Sequence, residues 1–332
     1  MIKNKKILFQ KRNKQFKKKK KRAPKIFFRN KKYRCYYFLY LKIIFITILS
    51  ILYNIIGNNR KKIPSICLCV IGKRENLYAK EYVNHYKQLG YSHIYIYDNN
   101  DINDEKFEDV LQDEIKSNFV SIINYRGIIG PQYHIYEECY ENNNKNYDWL
   151  SFFDFDEFLD VSPYANNIQE FLSNKRYENC TTLKINFLFY SDNELLYYDN
   201  RTLKERFTTA LPGHSSNSVI KSIVRGGLHP NYWSLQFNAH TSLFKCNSCN
   251  SAGESVDYKA MSFSPTHKYA RLNHYYTKST EEYANKAKRG EVFGLAKWDE
   301  KRKKFKYDLY YYYNKKTKEK DELLRKVLDI TL

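Results

Sequence analysis

No acidic residue occurs before Glu75. The first 62 residues hold 21 lysines and arginines, 17 of them ahead of Cys35, with nothing to balance them. The whole chain carries a formal charge of +21 from 57 basic and 36 acidic residues, so the part beyond Lys62 keeps 36 of each and is neutral. A nucleic-acid-binding domain concentrates its excess cations on the folded face that tracks phosphate. This body has no such excess, so no nucleic-acid partner is expected and the charge belongs to a tail. Such a tail reads first as a solvated cytosolic arm, and second as a nuclear-targeting or RNA-binding arm. Also missing are a glycine-rich dinucleotide fingerprint and a Walker loop, so the ligand is not held by a glycine cradle. No second cysteine pair or paired histidine accompanies Cys246-Asn-Ser-Cys249. A local disulfide or two plain thiols is therefore expected there in place of a zinc site. The 32 tyrosines follow a chain-wide bias that includes Asn, Lys and Ile, and single tyrosines are not read as stacking platforms.

What is present begins with an apolar segment. Tyr36–Ile56 is 21 residues long with one charge, Lys42, close to the roughly 20 needed to cross hydrocarbon. Lys42 lies near the tail end, where its stem reaches the headgroups. The cations ahead of the segment place the amino terminus in the cytosol. The long basic lead, with no small-residue cleavage site after the segment, argues against a cleaved signal peptide. The expected organisation is a basic tail (1–34), a transmembrane signal-anchor helix (35–57), a short stem (58–64), a catalytic body (65–299) and a Lys/Glu-rich C-terminal helix (300–332). The body would be lumenal, in the endoplasmic reticulum or Golgi, as in a single-pass type II membrane protein. There Cys69, Cys139, Cys180, Cys246 and Cys249 can oxidise, and the triplets Asn179-Cys-Thr and Asn200-Arg-Thr can be used.

Strand and helix patterns alternate along the body. Ser65–Ile71, His93–Tyr97, Phe119–Asn124 and Trp149–Phe153 read as strands. Between them Asn76–Leu89, Asp104–Ile115 and Pro131–Tyr140 read as helices, with Gly90 as a stop and Pro131 in a first turn. Beyond Phe158 the alternation loosens. Thr181–Tyr190 and Lys221–Val224 read as strands, Thr280–Lys288 as a short helix and 300–326 as a peripheral helix. Repeated strand–helix units imply an α/β fold, a mostly parallel sheet with helices on both faces and ligands beyond the strands' carboxyl ends. Asp98 and the cluster Asp154-Phe-Asp-Glu157 sit at that edge.

On an extended backbone Asp154 and Asp156 share a face, with Phe155 and Glu157 on the other. Two converging carboxylates suit a hard divalent cation such as Mg²⁺ or Mn²⁺, which can bind a diphosphate and neutralise it as it leaves. The plain alternative is an acidic turn capping the strand.

An ordered set of stretches then resembles glycosyltransferase family 92 and its family-2-like relatives. It comprises Lys73-Arg-Glu-Asn, Ala79-Lys-Glu-Tyr-Val-Asn-His-Tyr-Lys-Gln-Leu-Gly90 and Ser92-His-Ile-Tyr-Ile-Tyr-Asp-Asn-Asn100, then Gln132 with Cys139 and Trp149-Leu-Ser-Phe-Phe-Asp-Phe-Asp-Glu-Phe-Leu159. Lys221-Ser-Ile-Val224, His240, Leu272-Asn-His-Tyr275, Lys278-Ser-Thr-Glu-Glu-Tyr283 and Lys288-Arg-Gly290 follow, so the likeness covers about residues 65–290. The chain departs from it at Asp98-Asn-Asn-Asp101, where relatives often carry Ser before an Asp. The resemblance implies a Rossmann-like A-type nucleotide-diphospho-sugar transferase fold, a UDP-sugar donor and Mn²⁺. It implies Asp156 as a metal ligand, Asp154 on the ribose, the metal or its water, and Asp98, Lys73 and Gln132 around the nucleotide. His274, or next His240, would complete the metal shell; a hydrogen-bonded core histidine is the other reading. Inversion at the sugar carbon needs a carboxylate base, for which Glu254 and Asp257 are candidates, with Glu205 behind them. The expected reaction moves a hexose, galactose first, to a glycan on protein or lipid. A metal-dependent phosphotransferase or phosphodiesterase, or a non-catalytic lumenal binding protein, is the alternative.

Overall fold

Seven consecutive buried residues, Ile66–Gly72, form β1, the strand around which the first half is assembled. The computed structural model describes residues 63–228, 239–240, 247–257, 261, 264–290 and 298–330. After β1 come α1 (Asn76–Leu89), β2 (His93–Asp98), α2 (Gln112–Lys116), β3 (Val120–Asn124), α3 (Gln132–Asn143), β4 (Trp149–Phe152) and β5 (Glu157–Asp160). The second half adds α4 (Ile168–Leu172), β6 (Thr182–Phe189), α5 (Leu203–Arg206), β7 (Ile220–Arg225), β8 (Ser248–Asn250), β9 (Arg271–His274), α6 (Thr280–Arg289), α7 (Glu300–Tyr313) and α8 (Lys318–Leu328). The tail and the expected membrane segment lie outside the described residues. Among the described residues no helix is long and apolar enough to cross a membrane.

An apolar run without alternation fits a parallel strand covered on both faces, and β1 has both covers. Ile66, Leu68 and Val70 share a buried cluster with Tyr82, Val83 and Tyr86 of α1. Cys67, Cys69 and Ile71 share another with Ile135, Tyr136 and Cys139 of α3. A Cys69–Cys139 disulfide fixes the second contact. The apolar positions of α1 recur every three or four residues, which puts Tyr78, Tyr82, Val83 and Tyr86 on one buried stripe. Gly90, at φ +97°, closes that helix in a left-handed conformation that glycine adopts without steric cost.

The strands lie in the order β3-β2-β1-β4-β7-β6-β9-β5, with β8 beside β6. The first four are parallel, as expected. Beyond β4 the sheet is mixed, because β4–β7, β7–β6 and β9–β5 are antiparallel. A tight turn joins β4 to β5, with Glu157 N–H donating to Asp154 O at 3.0 Å. In a flat sheet four strand spacings, about 19 Å, would separate these two strands, far more than a hydrogen-bonded turn spans. The sheet therefore curls, and the acidic turn closes the curl.

Three local expectations are corrected. Asp104–Ile115 is not one helix but a single turn at Phe107–Asp109 followed by α2. Its acidic start is used elsewhere, since Asp104 pairs with Arg74 and Glu105 accepts from Asn76 N. The C-terminal segment is two helices, not one peripheral helix. Asn314 leaves α7 to accept from Asp192 N, and Thr317 caps α8. Both helices back α6 through Tyr283, Ala287, Tyr310, Leu324 and Leu328. Cys249 bonds to Cys180, not to Cys246, which lies outside the described residues. Each disulfide closes a loop of about 70 residues, worth about 4 kcal/mol in the chain-entropy picture.

Candidate functional site

The turn between β4 and β5 is held from beneath by Phe155. Its ring is buried and stacks on Phe107 with centroids 5.2 Å apart and planes within 6°. Gly72, at the end of β1, makes room, because a Cβ there would lie 2.2 Å from the Phe107 ring and 2.7 Å from that of Phe155. With Phe155 pinned inward, Asp154, Asp156 and Glu157 all reach the wall of one cleft of about 310 Å³.

The three carboxyls have different surroundings. Asp154 accepts from Tyr136 Oη at 3.1 Å and from Lys221 Nζ at 2.8 Å, and its side chain is 39% exposed. Burial pushes it up, but Lys221 outweighs that and holds it below the usual carboxylate range. Asp156 is almost enclosed, bonded to Lys286 Nζ and 3.6 Å from His274 Nε2. Burial again opposes ionisation, and Lys286 and His274 more than offset it, leaving Asp156 well below the ordinary value. Glu157 accepts from Asp154 N at 2.9 Å and lies 3.4 Å from Lys221 Nζ. Burial pushes it well up; Lys221 opposes, while Asp154 and Asp156 add to the rise. Two aspartates held in the ionised form thus stand beside a glutamate whose burial favours the protonated form.

His274 comes to this group through register. In the antiparallel pair β5–β9, Glu157 stands opposite His274. The imidazole lies between Phe187 and Phe189, with ring centroids 4.5 and 4.6 Å away. Burial lowers its pKa against the pull of Asp156, so the ring is neutral, and among the described residues its Nδ1 has no hydrogen-bond partner. Asp156, Glu157 and His274 can bring one donor atom each within 4.8 Å of one another. An ionised carboxylate and a neutral imidazole are the forms that bind a metal, and a mixed oxygen–nitrogen set suits Mn²⁺ better than Mg²⁺. The residues therefore fit a divalent cation, with Asp156 and His274 as its first holders and Glu157 beside them.

The structure brings Lys73, Gln132, Asp154, Asp156, His240 and His274 to the same cleft. Gln132 opens α3, and among the described residues its buried Oε1 is unpartnered. His240 donates from Nδ1 to Ile220 O at 2.8 Å and is pushed down to about 4, first by burial and then by Lys221. The strand argument for Asp154 is corrected. Asp154–Glu157 is a turn, and it is Glu157, not Asp154, that joins Asp156 and His274. Asp98 stands apart from this cleft. Arg126 Nη1 takes its Oδ2 at 2.6 Å and Asn100 N its Oδ1 at 2.9 Å, so it fixes the loop after β2 and is not part of the described cleft wall. Glu254 and Asp257 are likewise absent from that wall. Glu254 accepts from Asn250 Nδ2 in an exposed turn, and the carbonyl of Asp257 receives Lys184 Nζ. Glu205 caps α5 through Thr202.

Sequence reasoning missed Glu157, Lys221, Lys286, Arg289 and Glu75. Arg289 spans Glu75 Oε1 at 2.5 Å and the carbonyl of Lys73, locking the end of α6 to the end of β1. Lys221 and Arg289 fell inside quoted motifs, and the signal available was their basic character near an acidic site.

No curated protein matches the chain. Among solved structures, TarS of S. aureus matches over 80% of this chain and 43% of its own, with 8% identity and a TM-score of 0.37. TarS residues 1–349 with UDP match over 38% of this chain and 36% of that one, with 10% identity and a TM-score of 0.30. The same protein with UDP-GlcNAc gives 11% identity and a TM-score of 0.28. The chain thus spans less than half the length of each of these three solved chains. The sequence profile of glycosyltransferase family 92 matches residues 64–236, just over half of the 332, running from the residues before β1 through the acidic turn to beyond β7. The chain belongs to glycosyltransferase family 92.

Proposed function

We propose that the protein transfers a hexose from a UDP-sugar to a glycan on protein or lipid, with a divalent cation held at Asp156 and His274. One observation carries this reading: an ionised Asp156 and a neutral, partly unpartnered His274 share a cleft with Lys73, Lys286 and Arg289. An anion with a bound cation fits such a wall, and a nucleoside diphosphate is an anion of that kind. A bound cation supplies charge neutralisation to the leaving diphosphate. The protein's own part is to hold Asp156 ionised, orient Asp154 through Lys221 and Tyr136, and set Lys73 and Arg289 against phosphate. Galactose as the sugar, and inversion at its anomeric carbon, extend the proposal by family resemblance. The test is to screen the full chain against nucleotide sugars with Mn²⁺. UDP release from one UDP-sugar, stopped by chelator, is expected. Release of inorganic phosphate without UDP would point instead to phosphoryl transfer.

The same proposal places the body in the lumen of the secretory pathway behind an anchor at 35–57. Two disulfides suit an oxidising compartment, and the basic residues ahead of the segment suit the cytosol. In sealed microsomes the body is expected to resist added protease until detergent is present. Digestion without detergent would reverse the topology.

A further inference from the structure

A basic residue of α6, Lys286, faces the acidic turn. Lys286 Nζ bonds Asp156 Oδ2, the oxygen that also lies 3.6 Å from His274 Nε2. One carboxylate oxygen thus serves an ammonium while belonging to the set that fits a divalent cation. Two cations at one oxygen repel each other, so a divalent cation arriving there weakens the hold on the ammonium. Lys286 is built to leave. Its side chain is 25% exposed, against 0% for Lys221, which is sealed beneath Asp154. Its ammonium lies 4.7 Å from the centre of the Tyr276 ring, a second resting surface for a cation. Arg289, three residues further on the same face of α6, is fixed by Glu75 and the carbonyl of Lys73. The capping box at Ser279 and Glu282 holds the start of that helix, and Glu282 is clamped by Arg206 at 2.6 and 3.0 Å. The helix is therefore a firm mount carrying one clamped and one partly exposed cation into the cleft.

We propose that Lys286 is the exchangeable counter-ion of Asp156, neutralising it while the donor site is empty and turning to the donor's diphosphate when a divalent cation takes its place. The inference rests on the nucleotide-sugar reading above. It makes the two binding events help each other, because the cation frees the ammonium that the diphosphate needs, and by linkage the reverse holds equally.

Calorimetric titration of the full chain in detergent tests this with MnCl₂ alone, UDP alone, and UDP at saturating Mn²⁺. Lys286→Met, which keeps the apolar stem, is expected to bind Mn²⁺ alone about 5-fold tighter than the unaltered protein, since the competitor is gone. It should also lose about 10-fold in UDP affinity at saturating Mn²⁺, shrinking the Mn²⁺–UDP coupling by a similar factor. Lys286→Arg should restore most of that coupling. Thermal melting checks the fold, and Lys286→Gln repeats the comparison if the methionine variant has lost it. Unchanged Mn²⁺ and UDP affinities in the charge-removing variants, with the unaltered protein binding both, overturn this inference and leave the donor reading intact. An unaltered protein that binds no UDP with Mn²⁺ sinks the donor reading and the inference with it.

Discussion

Replacing Asp156 by asparagine is expected to lower the rate of UDP release from a UDP-sugar by about 10³-fold while leaving the chain folded. The magnitude follows from the task. A cation that neutralises a leaving diphosphate contributes several kcal/mol to the transition state, and each 1.36 kcal/mol is tenfold in rate. Asp156 is the ionised carboxylate closest to His274, and burial keeps water from substituting for it. Asparagine preserves shape and removes the charge. The fold should survive because the partners left behind can adjust: Lys286 turns to solvent, and His274 is already neutral. Turnover measured beside a melting curve separates the two effects. Near-normal turnover would remove the cation from the mechanism.

Much of this site was legible in the sequence, and the part that was not has a physical reason. β1 to β4, α1 and α3 follow from local signals: short apolar runs, helical spacing, Gly90 and Pro131. Those elements lie within about 90 residues and pair in parallel, β1 with β2, β2 with β3, and β4 returning to β1. The site's other half is assembled by pairings that local periodicity does not report. Glu157 meets His274 across 117 positions because β5 pairs with β9, and Lys221 reaches Asp154 from β7. The alternation rule placed Glu157 opposite Asp156 because it assumed an extended backbone through Asp154–Glu157. No glycine or proline marks the turn; what makes it is Phe155 seeking Phe107. Asp98 has a distant partner of the same kind. Its position at a strand end was read correctly, but Arg126, on the loop after β3, satisfies it first.

Lys221→Met should have the second large effect, this time on stability, with a loss of about 3 kcal/mol at neutral pH. The ammonium is fully buried between Asp154 and Glu157. Burial works against its charge, yet the two carboxyls more than offset that and raise it above lysine's ordinary range. Breaking a buried pair by removing one partner typically costs about 3–5 kcal/mol. The lower end applies because Glu157 can stay protonated and Asp154 can hydrate through its exposed edge. For a body of this size the loss corresponds to roughly 6–12 °C in melting temperature. Its pH dependence identifies the cause. Asp154 has a depressed folded-state value, so its pairing contributes stability above the unfolded value of about 4 and loses it as pH falls through the folded one. The gap between Lys221→Met and the unaltered protein should therefore be widest near neutrality and close below about pH 4. A gap that stays constant down to pH 3 would mean that the lysine acts through packing of its stem, and that Asp154 does not depend on its charge.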